Sequence, residues 1–295
     1  MHFRNTNTGI LLRRWIARWL FYPVYLVEYI SVYYKLFIKS KSQPLFIVLT
    51  IGKVGSSSVY YSIKEQLTSR VFHIHYISEE GIKSSWEQHK NSSRKSVPLH
   101  LITSKILNRL FKKVDEDIYF ITVFREPLQR KLSSFFQNLD QFKNEVDLKG
   151  LQFDVNKASQ VLNNDYFNSI IDEEDKWIEQ ELIGPHGFSI YHKNEIEKNN
   201  YVVERKENLN LLILKMETLN DSWDEAISKL YNNQDSIELI TVNDGGEKYY
   251  NKAYKAIKNT IKLDKQILEN LYGTRYFKTF YEDQKSELIE TWIKR

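Results

Sequence analysis

The feature that most constrains this chain is the run Leu45–Thr50 (LFIVLT) together with the loop that follows it. A run of apolar and β-branched residues with no polar face is stable only where both of its faces are covered, as in a parallel sheet. A glycine-containing loop comes next, Gly52-Lys53-Val54-Gly55-Ser56-Ser57-Ser58, and Ser58–Leu67 then has helical character. Strand, loop and helix in that order open an α/β fold. Val71–Ile77 and Ile118–Phe124 read as further buried strands, and Leu99–Thr103 starts another element. Tyr201–Glu204 and Leu211–Met216 read as strands that pair across a turn near Glu207–Asn210. Gln129–Phe136 reads as a helix, residues 138–190 as a polar helical insertion, and Lys248–Trp292 as helical with a break around Gly273. The expectation is a mostly parallel central sheet with helices on both faces, spanning 42–295 after an arm at 1–41.

Composition narrows the function. With 42% hydrophobic residues in 295, the chain has material for a sizeable core. It has no cysteine, which excludes a disulfide framework, a thiolate metal site and a cysteine nucleophile, and favours a cytoplasmic location. The formal charge of +4 is unevenly placed: residues 1–41 hold seven Lys/Arg against the single acid Glu28, and the rest holds 35 basic against 37 acidic residues. A nucleic-acid partner is therefore not expected, because the positive charge belongs to the arm alone.

Residues 10–38 of the arm alternate basic and large apolar residues. The uncharged run Trp19–Val27 is well short of the about 20 residues needed to span a bilayer, and no small-residue cleavage site follows it. Pro23 would kink or break a long helix here. Three readings stay open. One is an interfacial helix in peripheral contact with the inner membrane surface. The others are a helix packed on the main domain through its aromatic face, and a signal anchor.

The loop at 52–58 carries the chemistry. Successive backbone N–H groups at a helix N-terminus cradle a phosphate, and Gly55 lets the backbone approach it. Lys53 adds a point charge, and Ser56, Ser57 and Ser58 add hydroxyl donors. A plain strand-to-helix turn with serine caps is the bland alternative. A Walker A loop needs G-x-x-x-x-G-K-[ST], whereas here the lysine precedes the second glycine and Val54 follows it. After the strand ending in Phe124 comes Arg125-Glu126-Pro127-Leu128-Gln129-Arg130-Lys131-Leu132-Ser133. Arginine grips a phosphate bidentately, Pro127 suits the first helical turn, and Ser133 can reach the same anion from the helix. A helix start with a surface ion pair would produce a similar string.

The Lys-x-Gly-small-Ser order and the R-x-P-x-x-R-x-x-S string, each after a buried strand, together resemble the two nucleotide-binding motifs of sulfotransferases that use PAPS (3′-phosphoadenosine 5′-phosphosulfate). The resemblance covers residues 45–136. Further along, Trp177 with Glu179 and Glu181, Ile190-Tyr191, Leu212–Glu217 and Tyr272–Trp292 resemble a group described as capsular polysaccharide synthesis or sulfotransferase-like proteins. The resemblance implies a P-loop-like sandwich and a PAPS donor, with PAP as product and no metal. It implies that Lys53, Val54, Gly55, Ser56, Ser57 and Ser58 hold the 5′-phosphosulfate, that Arg125 and Ser133 hold the 3′-phosphate, and that Lys248 in the loop 243–248 closes over the nucleotide. It also implies a carbohydrate hydroxyl as acceptor. Many cytosolic members carry an aromatic residue after a Thr-rich loop, whereas here Val59 and then Tyr60 follow a serine run; the loop is more similar to that of the carbohydrate-modifying branch and does not identify the acceptor.

Transfer to a hydroxyl calls for a general base and for a cation on the leaving oxygen, a role that suits Lys53. His73 and His75 lie two apart in the second strand and so face one side of the sheet. His75 is nearer the carboxyl end, where ligands bind in parallel sheets, which makes it the first candidate for the base. His73, His100, Glu179 and Glu181 are the alternatives. No third ligand at metal-binding spacing accompanies the two histidines. Two rival functions remain: a P-loop kinase or other phosphotransferase, which lacks its Mg²⁺-binding residue and acidic strand end here, and a non-catalytic, membrane-associated assembly protein.

Overall fold

The computed structural model describes residues 22–39, 41–91, 98–138, 155–192, 196, 198–231, 236–242 and 251–294. Five strands form one sheet in the order β2-β1-β3-β5-β4: β1 Leu45–Leu49, β2 Val71–Ile74, β3 Ile118–Phe124, β4 Tyr201–Lys206 and β5 Leu209–Lys215. The first, second, third and fifth run parallel, and β4 is antiparallel to β5. Helices cover both faces, as the alternating pattern predicts. All of β1 is buried, as its uninterrupted apolar run requires.

The β4–β5 hairpin is tighter than the sequence suggested. Lys206 pairs with Leu209, which leaves a two-residue turn, and Glu207 takes the positive φ of 53° that such a turn needs. β2 is shorter than the apolar pattern Val71–Ile77 implies. The backbone beyond Ile74 is claimed by side chains: Trp177 Nε1 donates to the His75 carbonyl at 2.8 Å, and Ile77 N donates to Glu181 Oε2 at 2.6 Å. Leu99–Thr103 belongs to a helix.

In chain order the helices begin with α1, residues 22–38, which ends in a π turn at Tyr34–Ile38. Then come α2 Ser56–Gln66, α3 Glu79–Asn91, α4 Leu99–Leu110 and α5 Pro127–Gln137. α6 begins at Val155–Val161 and continues to Ser169; α7 begins at Glu173–Ile178 and continues to His186. α8 is Leu219–Leu230, α9 Asn251–Thr260, α10 Lys265–Leu271, α11 Arg275–Phe280 and α12 Lys285–Lys294.

The arm is partly a packed helix. Val32 and Leu36 of α1 are buried in the core. Arg70, itself fully buried, donates to the carbonyls of Lys35, Leu36 and Gln43 and pairs with Glu116, fixing the end of α1 to the sheet. This arginine satisfies the carbonyls that a helix C-terminus leaves without partners. Among the described residues no helix is long and apolar enough to cross a membrane.

Topology fixes where a ligand can sit. From β1 the chain passes through α2 to β2 on one side, then crosses back through α3 and α4 to β3 on the other. The strand order therefore switches between β1 and β3. In open α/β sheets the crevice beyond the carboxyl ends at such a switch is the ligand position.

Candidate functional site

Both motif loops leave the sheet at that switch. The β1–α2 loop turns sharply: Lys53 has φ 73° and Gly55 φ 77°, both left-handed. Gly55 is the N-cap of α2 and has no side-chain acceptor to offer, so the N–H groups of the first turn are capped by no residue side chain. Val54 is fully buried, which anchors the loop and leaves only its backbone to face a ligand.

The Arg125 guanidinium donates from Nη1 to the Lys53 carbonyl at 3.1 Å, tying the second loop to the first. Its main chain is held as well. Tyr276 Oη accepts from Arg125 N at 3.0 Å and donates to Arg125 O at 2.8 Å. Glu126 caps α5, accepting from Leu128 N at 3.0 Å and Gln129 N at 2.7 Å, with Tyr272 Oη at 3.1 Å. Burial pushes its carboxyl up to about 7, against the pull of those N–H groups. Glu126 N donates to Glu217 Oε1 at 2.8 Å. Both acids at the loop are thus occupied by the scaffold, and the remaining donor set consists of N–H groups, hydroxyls and cations. Such a set fits an anion. Ser133 lies two turns into α5 and is partly exposed.

Two of the four remaining predicted groups, Ser56 and Ser58, have defined partners. Ser56 Oγ lies 2.8 Å from His73 Nε2. Ser58 Oγ accepts from Val242 N at 3.1 Å, so this hydroxyl is engaged by the chain itself; Ser57 is the partly exposed member of the run. Ser58 belongs to a polar stripe along α2. Ser62 Oγ accepts from Ile240 N at 2.7 Å, and Gln66 Oε1 from Glu238 N at 2.9 Å. Residues at i, i+4 and i+8 of the helix thereby hold every second residue of an extended segment. Lys248 lies outside the described residues.

The histidines form a row. The His73 and His75 rings are 5.5 Å apart, and those of His75 and His100 5.2 Å. His75 Nδ1 lies 2.7 Å from the Thr50 carbonyl. A carbonyl only accepts, so Nδ1 carries the proton and Nε2 keeps its lone pair. Burial lowers the His75 pKa, and the Lys53 charge adds to this. Burial also lowers His73, to about 3, with His75 and His100 contributing. Among the described residues no group of three or more His, Asp or Glu could hold a metal ion.

The carboxylate alternatives are placed differently. Glu181 is fully buried and accepts from Ile77 N, Ser78 N and Ser78 Oγ, so it holds the β2–α3 loop. Glu179 is exposed and lies 3.7 Å from Arg275.

Sequence reasoning missed Thr50, Tyr276, Glu217 and Lys215. Lys215 ends β5 opposite Phe124 of β3, with its ammonium 4.9 Å from the Tyr281 ring centre. A charge closing an apolar strand was the signal that marked Arg125, and LLILK carries the same signal. The others act through backbone groups or from distant positions, and nothing local reveals them.

A family model described as "Putative capsular polysaccharide synthesis protein" matches residues 150–282. No curated protein and no solved structure matches the chain. The matched region supplies Trp177 and Glu181, which hold the backbone after β2, and Glu217 and Tyr276, which hold the Arg125 loop.

Proposed function

We propose that this chain is a sulfotransferase that moves a sulfuryl group from PAPS to a hydroxyl of a saccharide. The observation that carries the reading is the Arg125–Lys53 contact, which makes one basic, N–H-lined mouth out of two loops at the sheet's switch point. The capsular-polysaccharide description of the matching family supports a saccharide acceptor.

The donor set suits a nucleotide with two separated anionic groups. In this reading the first turn of α2, with Lys53, Gly55, Ser56 and Ser57, holds the 5′ side, and Arg125 with Ser133 holds the 3′-phosphate. PAPS, when bound, supplies the activated sulfuryl group and the phosphate leaving oxygen. His75 is the general base. Its Nδ1–H is anchored on Thr50, its Nε2 is free to take the acceptor proton, and its lowered pKa keeps that nitrogen unprotonated at neutral pH. Lys53 offsets charge growing on the leaving oxygen. His73 positions the loop through Ser56.

The test is PAP formation from PAPS, without divalent metal, in the presence and absence of capsular-type polysaccharides. Acceptor-dependent PAP release that Lys53→Ala abolishes supports the reading. PAP binding without acceptor-dependent release across a panel of hydroxyl acceptors would replace it with a non-catalytic nucleotide-binding role.

A further inference from the structure

Helix α1 is built inside out. Its two charged residues turn inward: Glu28 accepts from Thr103 Oγ1 at 2.5 Å, and Lys35 donates to the Val71 carbonyl at 3.3 Å and lies over the Phe72 ring. Every exposed residue of the helix is uncharged. Of the eleven exposed large apolar residues in the described structure, eight lie on this helix, among them Leu26 at 58%, Val27 at 67%, Ile30 at 59% and Ile38 at 63%. A ninth, Leu99, begins α4 one turn before Thr103 and extends the patch. Water-facing helices normally show the reverse arrangement, and a contiguous apolar face of this kind marks a surface that something else covers.

We propose that the outer face of α1 docks on an anionic bilayer surface, lying in the headgroup layer without crossing it. Charge identifies the occupant. Arg13, Arg14 and Arg18 precede the helix in sequence and Lys39 follows it; residues 1–41 carry seven basic residues against one acid, while the remainder is slightly acidic. An anionic surface attracts that stretch, whereas the remainder carries a net negative charge. A second copy would set one basic arm against another, which opposes self-association through this face. The exposed tyrosines Tyr22, Tyr33 and Tyr34 suit the interfacial layer, where amphipathic rings collect. The inner face is held by Arg70, by Thr103 and by Arg109, which donates to Tyr25 Oη at 3.2 Å. The helix is thus a rigid part of the domain. It packs on α4, the helix that carries His100, so docking sets the histidine row close to the membrane surface.

The absence of cysteine makes a clean probe available. The full chain carrying Ile30→Cys labelled with an environment-sensitive fluorophore is mixed with vesicles of phosphatidylglycerol and phosphatidylcholine, or of phosphatidylcholine alone; a label at Lys229→Cys, an exposed position on α8, is the control. The expected result is a blue shift at position 30 only, on the anionic vesicles, weakened by salt. In co-sedimentation, Val27→Asp/Ile30→Asp lowers vesicle binding at least tenfold with an unchanged circular dichroism spectrum. No shift on anionic vesicles, or binding untouched by the double substitution, overturns the proposal. So does a dimer in solution that the double substitution dissociates, because the face then belongs to a second copy.

Discussion

Glu174 is the point at which the account of α5 is most exposed to test. Arg130 and Lys131, on the helix that Arg125 leads into, are 2% and 0% exposed, and both turn to Glu174, itself 3% exposed. Arg130 Nε donates to Glu174 Oε1 at 2.7 Å, Lys131 bonds the other oxygen, and Arg130 also pairs with the more exposed Glu173. Burial alone would raise the Glu174 pKa, but the two cations hold it below the usual carboxylate value. Glu174→Gln keeps the shape and removes the charge, leaving two buried cations and one half-exposed acid. Removing one partner of a buried ionic cluster costs about 3–5 kcal/mol, a large share of the about 5–15 kcal/mol by which a domain is stable. Lys131→Met removes a cation while Arg130 still satisfies Glu174, so it should cost about 1 kcal/mol or less, and the double variant should recover part of the Glu174→Gln loss. Urea denaturation followed by circular dichroism reads all three. A loss below about 1 kcal/mol for Glu174→Gln would refute the reasoning, because it would mean that water reaches the cluster.

Other outcomes follow from single contacts. At Gly81 an added Cβ would overlap Glu181 Oε1 and stand 2.9 Å from the Tyr76 ring. Gly81→Ala should therefore destabilise by about 1–3 kcal/mol in thermal melts, and an unchanged melting temperature would contradict the placement of Glu181. His186 is buried against Phe111, Phe120 and Phe188, neither ring nitrogen has a hydrogen-bond partner among the described residues, and burial lowers its pKa from 6.5 to about 4. Because the unfolded chain binds the proton more tightly, His186 contributes fully above pH 6.5 and loses that contribution as pH falls toward 4, by up to about 3 kcal/mol. His186→Phe should flatten that part of the stability–pH curve, and an unaltered acid slope would count against it. His75→Gln should lower turnover by about 10²–10⁴-fold while leaving PAP affinity within about twofold; equal loss of both would make His75 a structural residue.

The sheet was legible where burial is written in consecutive residues. β1 and β3 have no polar face, so their identity needed no tertiary information, and the Lys53 and Arg125 loops followed from their positions after those strands. Local pattern misjudged β2, because its end is set by Trp177 and Glu181, about a hundred positions away. The same distance hid the role of Glu181: a lone carboxylate in a helical stretch reads as a candidate base, and only the fold shows its oxygens taken by Ile77 and Ser78. α1 was ambiguous for a related reason. Its sequence carries two apolar faces, and the partners of Glu28 and Lys35 decide which one turns inward.

The central claim is that the mouth joined by Arg125 and Lys53 binds a 3′,5′-bisphosphorylated nucleotide. Calorimetry with PAP, without Mg²⁺ and against ATP as control, tests it directly on the wild-type chain and on Arg125→Ala. PAP binding is expected, weakened by the substitution by about 1.5–3 kcal/mol, the scale of a hydrogen bond to a charged group. No PAP binding, or a preference for Mg²⁺–ATP, would contradict it.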